Sequence, residues 1–121
     1  MGATGDDSKS TGVNGDANDT SAAFAGAVHT YVRTGSTWAP QAYLKASNTD
    51  AGDGFGTSVS LSADGSTLAV GAIFERSSAT GVGGNQSDNA QSPFGAVYVF
   101  SQDRGSWSQQ AYVKALSLIH I

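Results

Sequence analysis

Gln41-Ala42-Tyr43-Leu44-Lys45-Ala46 returns 69 residues later as Gln110-Ala111-Tyr112-Val113-Lys114-Ala115. Working outward at the same offset, Trp38 meets Trp107, Gly26-Ala27-Val28 meets Gly95-Ala96-Val97, Thr11-Gly12-Val13 meets Thr80-Gly81-Val82, and Gly2-Ala3 meets Gly71-Ala72. Of the 45 ungapped positions from Gly2/Gly71 to Ala46/Ala115, 17 are identical. More than a third of positions held in register without a gap marks a duplicated segment, and duplication decides how the rest is read.

Within one copy the local signals are those of strands and turns. Val59 and Leu61 alternate with polar residues over 57–61, as in a half-buried strand. Asp64-Gly65 then marks a hairpin, because both residue types tolerate the positive φ of a tight turn. A second strand is expected over 67–71 and a third over 96–100. Ala96-Val97-Tyr98-Val99-Phe100 is apolar on both faces, so both faces must be covered. Arg104-Gly105 turns the chain into a fourth strand over 107–114. The earlier copy supplies the end of strand two, strand three over 27–32 and strand four over 37–45. Four short strands per repeated unit predict an all-β fold, a partial β-propeller of about one and three-quarter four-stranded antiparallel blades. The 69-residue period exceeds the usual ~40–50 of propellers, and the polar insertion over 74–94 accounts for the excess. The expected divisions are 1–46 for the later part of one blade, 47–56 for an interblade loop, 57–115 for a second blade and 116–121 for a non-native tail.

Composition agrees with this reading and excludes several functions. The chain has 121 residues, 16 of them Gly, with 13% charged residues and no Cys. Helix-favouring Leu, Glu, Lys and Met are scarce. With six Lys and Arg against ten Asp and Glu, it lacks the cationic surface that nucleic acid requires. No apolar stretch approaches the ~20 residues of a membrane span, and the first residues do not form a signal peptide. Leu116-Ser117-Leu118-Ile119-His120-Ile121 breaks the repeat and matches the translation of a transposon end used as a sequencing adapter. It is therefore expected to be foreign, and His120 receives no role.

Phe55-Gly56-Thr57-Ser58-Val59, followed by Val70-Gly71-Ala72, resembles the FG-GAP repeat, the blade unit of integrin α-subunit propellers and of many bacterial surface proteins. The likeness extends from Gly2 to Ala115 and is closest to the bacterial form. It implies an extracellular or cell-surface location, neighbouring blades in the same chain, and a protein or glycan ligand met at a loop-rich rim. Two departures stand out. Ile73 and Thr4 occupy the place of the family's proline. The turn in the position of the family's calcium loop, Ser62-Ala63-Asp64-Gly65-Ser66, carries one carboxylate, too few for the 6–8 oxygens calcium takes.

Calcium has one other candidate place. Asn14, Asp16 and Asn18 stand at i, i+2 and i+4 with Asp19 following, the spacing that opens an EF-hand-type loop. The Gly and the terminal Glu of such a loop are missing, and Asx turns explain the same residues more simply. The connections after strands two and four are expected on one rim, which would gather Asn48, Asp50 and Asp53 with Asn85, Asp88 and Asn89 as ligand-facing candidates. The glycines of Gly52-Asp53-Gly54-Phe55-Gly56 are read as a tight interblade turn and Phe55 as a packing plug between blades; Phe55, Gly56, Gly71 and Ala72 form the repeat motif, and Trp38 and Trp107 are read as covering the same seam in each copy. Carboxylates such as Asp6-Asp7 and Asp50 with Asp53 are expected in loops without apolar neighbours to raise a pKa. His29, aligned with Tyr98, reads as a strand residue. The expected role is a non-catalytic extracellular binding or adhesion scaffold. The alternative is a piece of a secreted, polysaccharide-acting propeller enzyme whose catalytic residues lie outside this sequence.

Overall fold

In the computed structural model, residues 1–77, 82–84 and 95–114 are described. Asn85, Asp88, Asn89 and the 116–121 tail lie outside them. Seven strands form: β1 (Gly2–Ala3), β2 (Ala27–Thr34), β3 (Thr37–Leu44), β4 (Phe55–Leu61), β5 (Thr67–Ala72), β6 (Ala96–Asp103) and β7 (Ser106–Val113). They make two antiparallel sheets, β1-β2-β3 and β4-β5-β6-β7, each joined in sequence order. These are one partial and one complete propeller blade, as the repeat predicts. Among the described residues no helix is long and apolar enough to cross a membrane.

The duplication is exact enough to repeat an irregularity. Register shifts between Thr30 and Tyr31 against β3, and again between Val99 and Phe100 against β7, at equivalent positions. Each shift leaves a glutamine, Gln41 or Gln110, outside the pairing. A bulge of this kind bends the strand and re-aims one side chain. Trp38 and Trp107 also occupy the same place in their sheets, opposite Arg33 and Gln102.

Turn chemistry sets the hairpins. Arg104 (φ 54°) and Gly105 (φ 86°) both take positive φ in the two-residue β6–β7 loop, the geometry that matches strand twist. The β4–β5 hairpin turns through residues 62–66, around the Asp64-Gly65 pair as expected. Gly65 alone takes positive φ there, and Asp64 Oδ1 accepts from Ser62 Oγ (2.7 Å), the Ser66 amide (3.0 Å) and Ser66 Oγ (2.8 Å). Asp64 thus works as a local acceptor that ties the turn together. Strand β4 begins at Phe55, so the interblade loop ends two residues earlier than expected.

The core lies between the sheets. Val28, Ala42, Leu44 and Ala46 of the first blade cluster with Phe55, Leu68, Val70, Ala72, Ala96, Tyr98, Phe100, Trp107 and Tyr112 of the second. Phe55 is fully buried, edge-on to Tyr98 (5.3 Å) and Phe100 (6.0 Å). Burying such a side chain is worth about 1.5–3 kcal/mol. The outer faces are a different matter. Tyr31 is 42% exposed and Trp38 64% exposed, whereas their repeat partners Phe100 and Trp107 are buried. The covering expected on both faces of strand three is thus found on one, and Val97 of β6 stands exposed.

Candidate functional site

Each blade contains a buried carboxylate–lysine–tyrosine–serine cluster just beyond the end of its second strand. In the second blade Glu75 Oε2 accepts from Lys114 Nζ (2.7 Å) and from the Tyr112 hydroxyl (2.8 Å). Glu75 Oε1 accepts from the Ser77 amide (3.1 Å) and from Asn48 Nδ2 (3.1 Å). Ser77 Oγ closes the ring on the Tyr112 hydroxyl. Both charged side chains are fully buried. At the equivalent positions of the first blade, Asp6 Oδ1 meets Lys45 Nζ (3.1 Å), the Tyr43 hydroxyl (2.9 Å) and the Ser8 amide (3.0 Å). Lys45 also donates to the Gly26 carbonyl (2.5 Å).

Strand geometry explains the placement. Tyr43 and Lys45, like Tyr112 and Lys114, are two residues apart at the end of the outer strand, so they point to one side. The chain leaving strand two carries the acid over them. Burial works to raise Asp6, but the bonds from Ser8, Lys45 and Tyr43 outweigh it and hold the carboxyl below the ordinary carboxylate range. Burial first, and the bond to Asp6 second, push Tyr43 up. Burial likewise raises Tyr112 and Tyr98 well above the usual phenol range. The aromatic pairs repeat as well: His29 with Tyr43 and Tyr98 with Tyr112 both have ring centroids 5.2 Å apart.

This cluster is what sequence reasoning missed. Asp6 is not the solvated loop carboxylate expected; it is bonded to a fully buried lysine. The available signal was the repeat itself. Ser8/Ser77, Tyr43/Tyr112 and Lys45/Lys114 are identical pairs, and Asp6/Glu75 keeps an acid at one place. A lysine and an acid kept at matched places in both copies are candidates for a structural ion pair.

The linker between blades behaves differently from a solvated rim. Asn48 turns inward, giving Nδ2 to Glu75 and accepting from the Tyr98 hydroxyl at 2.5 Å. Asp53 is 3% exposed, and its Oδ2 has no hydrogen-bond partner among the described residues. Burial, reinforced by the nearby charges of Asp50 and Glu75, raises its pKa to about 7. This corrects the expectation for Asp53, which is buried although it lies in a loop. Asp50 is partly exposed.

The loop weighed for calcium spends its oxygens locally. Asn14, at φ 56°, accepts from the Tyr43 amide through Oδ1 (3.0 Å). Asp16 Oδ1 accepts from the Asn18 amide (2.9 Å). Asp19 Oδ2 accepts from the Lys9 amide (2.7 Å), and Ser21 adds further bonds. These bonds, that from Lys9 foremost, hold Asp19 low. Asp64, in the turn where the family carries calcium, is held down to about 2 by its bonds to Ser66 and Ser62. Neither loop presents a converging oxygen cage, and among the described residues no group of three or more acidic, His or Cys side chains could hold a metal.

The seam between blades is built from backbone. The Phe55 amide donates to the Ala25 carbonyl (3.0 Å) and the Gly54 amide to the Phe24 carbonyl (3.2 Å), and Gly26 forms a parallel bridge with Phe55. A Cβ on Gly2 would overlap the Gly56 carbonyl oxygen, and one on Gly26 the Phe55 carbonyl. The bulged Gln41 reaches across to accept from Trp107 Nε1 (2.9 Å). Phe55 is thus fully buried at the seam and Trp107 is buried with it, whereas Trp38, expected to cover the same seam in its own copy, is exposed. Among protein families, a model described as the FG-GAP repeat matches residues 38–100. No curated protein and no solved structure matches the chain.

Proposed function

This chain belongs to the FG-GAP repeat family, and we propose that it serves as a non-catalytic, extracellular or cell-surface binding scaffold whose exposed loops meet a protein or glycan. One observation carries the reading. The acid–lysine–tyrosine–serine cluster occupies the same place in both blades, so these ionisable groups serve the blade rather than a substrate. The loop beside it is what differs between copies: Asn14-Gly15-Asp16-Ala17-Asn18 stands against Gly83-Gly84-Asn85-Gln86-Ser87. A constant frame carrying variable polar loops is the arrangement of a recognition surface.

The test is to probe the chain against an array of glycans and extracellular-matrix proteins, with an Asp16→Ala/Asn18→Ala variant and a Trp38→Ser variant in parallel. Saturable binding that the loop variant loses and the Trp38 variant keeps is expected. Binding indifferent to the loop, or none, would remove the proposal.

A further inference from the structure

Glu75 holds an amine and an amide at once. Its Oε2 accepts from Lys114 Nζ at 2.7 Å, and its Oε1 accepts from Asn48 Nδ2 at 3.1 Å. Groups bonded to the two oxygens of one carboxylate are held side by side. The glutamate and lysine side chains are fully buried, and the packed rings of Tyr98 and Tyr112 carry hydroxyls that bond Asn48 and Glu75. The carbonyl of the Asn48 amide is engaged as well, since the Tyr98 hydroxyl donates to its Oδ1 at 2.5 Å. Burial keeps that hydroxyl protonated, well above the usual phenol range. An amine, an amide carbonyl with a donor on its oxygen, and a carboxylate touching both are the parts of an acyl transfer from amide to amine. The first blade lacks the set. Lys45 bonds Asp6 and the Gly26 carbonyl, and His29 stands where the repeat places Tyr98. Among the described residues no side-chain amide bonds Asp6.

We propose that Lys114 and Asn48 join in an intramolecular isopeptide bond, with Glu75 as proton carrier and the Tyr98 hydroxyl as donor to the developing oxyanion. The bond ties the interblade linker to the residue that follows β7. The ion pair is the state that folding delivers, and bond formation follows it. One proton first passes from Lys114 to Glu75, leaving a neutral amine and a neutral acid, the forms that burial favours. Nζ then attacks the Asn48 amide carbon, and the new C–N bond pushes an electron pair onto Oδ1, where Tyr98 meets it. Glu75 gives its proton to Nδ2 and takes one from Nζ. The bond from carbon to Nδ2 breaks and the carbonyl reforms. The products are a secondary amide, one ammonia and a protonated Glu75, so atoms and charge balance without an oxidant or cofactor. The inference rests on this buried group and stands apart from any ligand taken at the loops.

The experiment uses the whole 121-residue chain, refolded from urea and incubated at neutral pH. Intact-mass spectrometry is expected to show the loss of one ammonia per chain, and proteolysis to release a branched peptide joining Asn48 to Lys114. Lys45 should stay unmodified. An Asn48→Ala chain leaves the Lys114–Glu75 pair in place and should keep its full mass, with far-ultraviolet circular dichroism and Trp107 emission like the parent's. Tyr98→Phe keeps the ring and should form the bond roughly a hundredfold more slowly, the usual effect of removing one oxyanion donor. A parent chain that keeps its full mass after refolding would overturn the inference. So would ammonia lost without a branched peptide, as succinimide formation at Asn14-Gly15 would give. A bond formed as readily in urea, or a Tyr98→Phe chain that closes as fast as the parent, would equally refute it.

Discussion

Replacing Glu75 by Gln removes one charge and almost no volume from the second blade. Four donors converge on that carboxylate: Lys114 Nζ, the Tyr112 hydroxyl, the Ser77 amide and Asn48 Nδ2. Glutamine offers one acceptor oxygen and an NH₂ group, so one pair of donors must face another donor. Lys114, fully buried, also loses its counter-charge. Removing one partner of a buried ion pair costs about 3–5 kcal/mol, a large share of the ~5–15 kcal/mol that holds most domains folded. In urea denaturation followed by Trp107 emission, Glu75→Gln should lose most or all of the cooperative transition. Asp6→Asn in the first blade should lose less, because Asp6 is 14% exposed and water can take over part of its role. A Glu75→Leu/Lys114→Met double variant should recover most of the loss, because apolar pairs of similar volume replace buried ion pairs at little net cost. If Glu75→Gln unfolds within about 1 kcal/mol of the parent, the cluster behaves like a surface ion pair and the assignment of its role is mistaken.

Asp53 gives a pH signature. Its folded pKa, raised to about 7 from 3.8, means the folded state keeps a proton that the unfolded state has lost. Its contribution to stability is therefore present at low pH and disappears as pH rises from about 4 to about 7. Asp53→Asn should stabilise the chain at pH 7.5 by roughly 2–4 kcal/mol and leave it little changed near pH 4; melting temperatures of parent and variant that run parallel across this range would refute it. Gly26→Ala should open the seam, since its Cβ strikes the Phe55 backbone and its φ is positive. A loss of about 2 kcal/mol or more and a rise in solvent quenching of Trp107 are expected, and unchanged quenching would speak against a seam of this tightness. Calorimetric titration with millimolar calcium should give no saturable heat, because Asn14, Asp16 and Asp19 already bond backbone amides; a saturable isotherm would show that the loop rearranges around metal.

The duplication, the four-strand unit and the matched register of the two tryptophans could be read from residues alone. Period-two alternation, turn residues and a fixed offset are local properties that survive without coordinates. The loops resisted such reading, and Asp53 shows why. Its immediate neighbours are Gly52 and Gly54, and neither announces burial of the carboxylate between them. Burial came from segments distant in the chain, with the linker bonded to residues 23–25 on one side and to the Phe74 amide, near Glu75, on the other. Asp6 and Glu75 were hidden in the same way, since their lysine partners lie 39 residues along the chain. The order of residues thus determined which segments pair and repeat, because hydrogen-bonded strands obey short-range rules. Only the stacking of one blade on the other decided which polar groups left water, because desolvation depends on everything that surrounds a group in space, whatever its place in the chain.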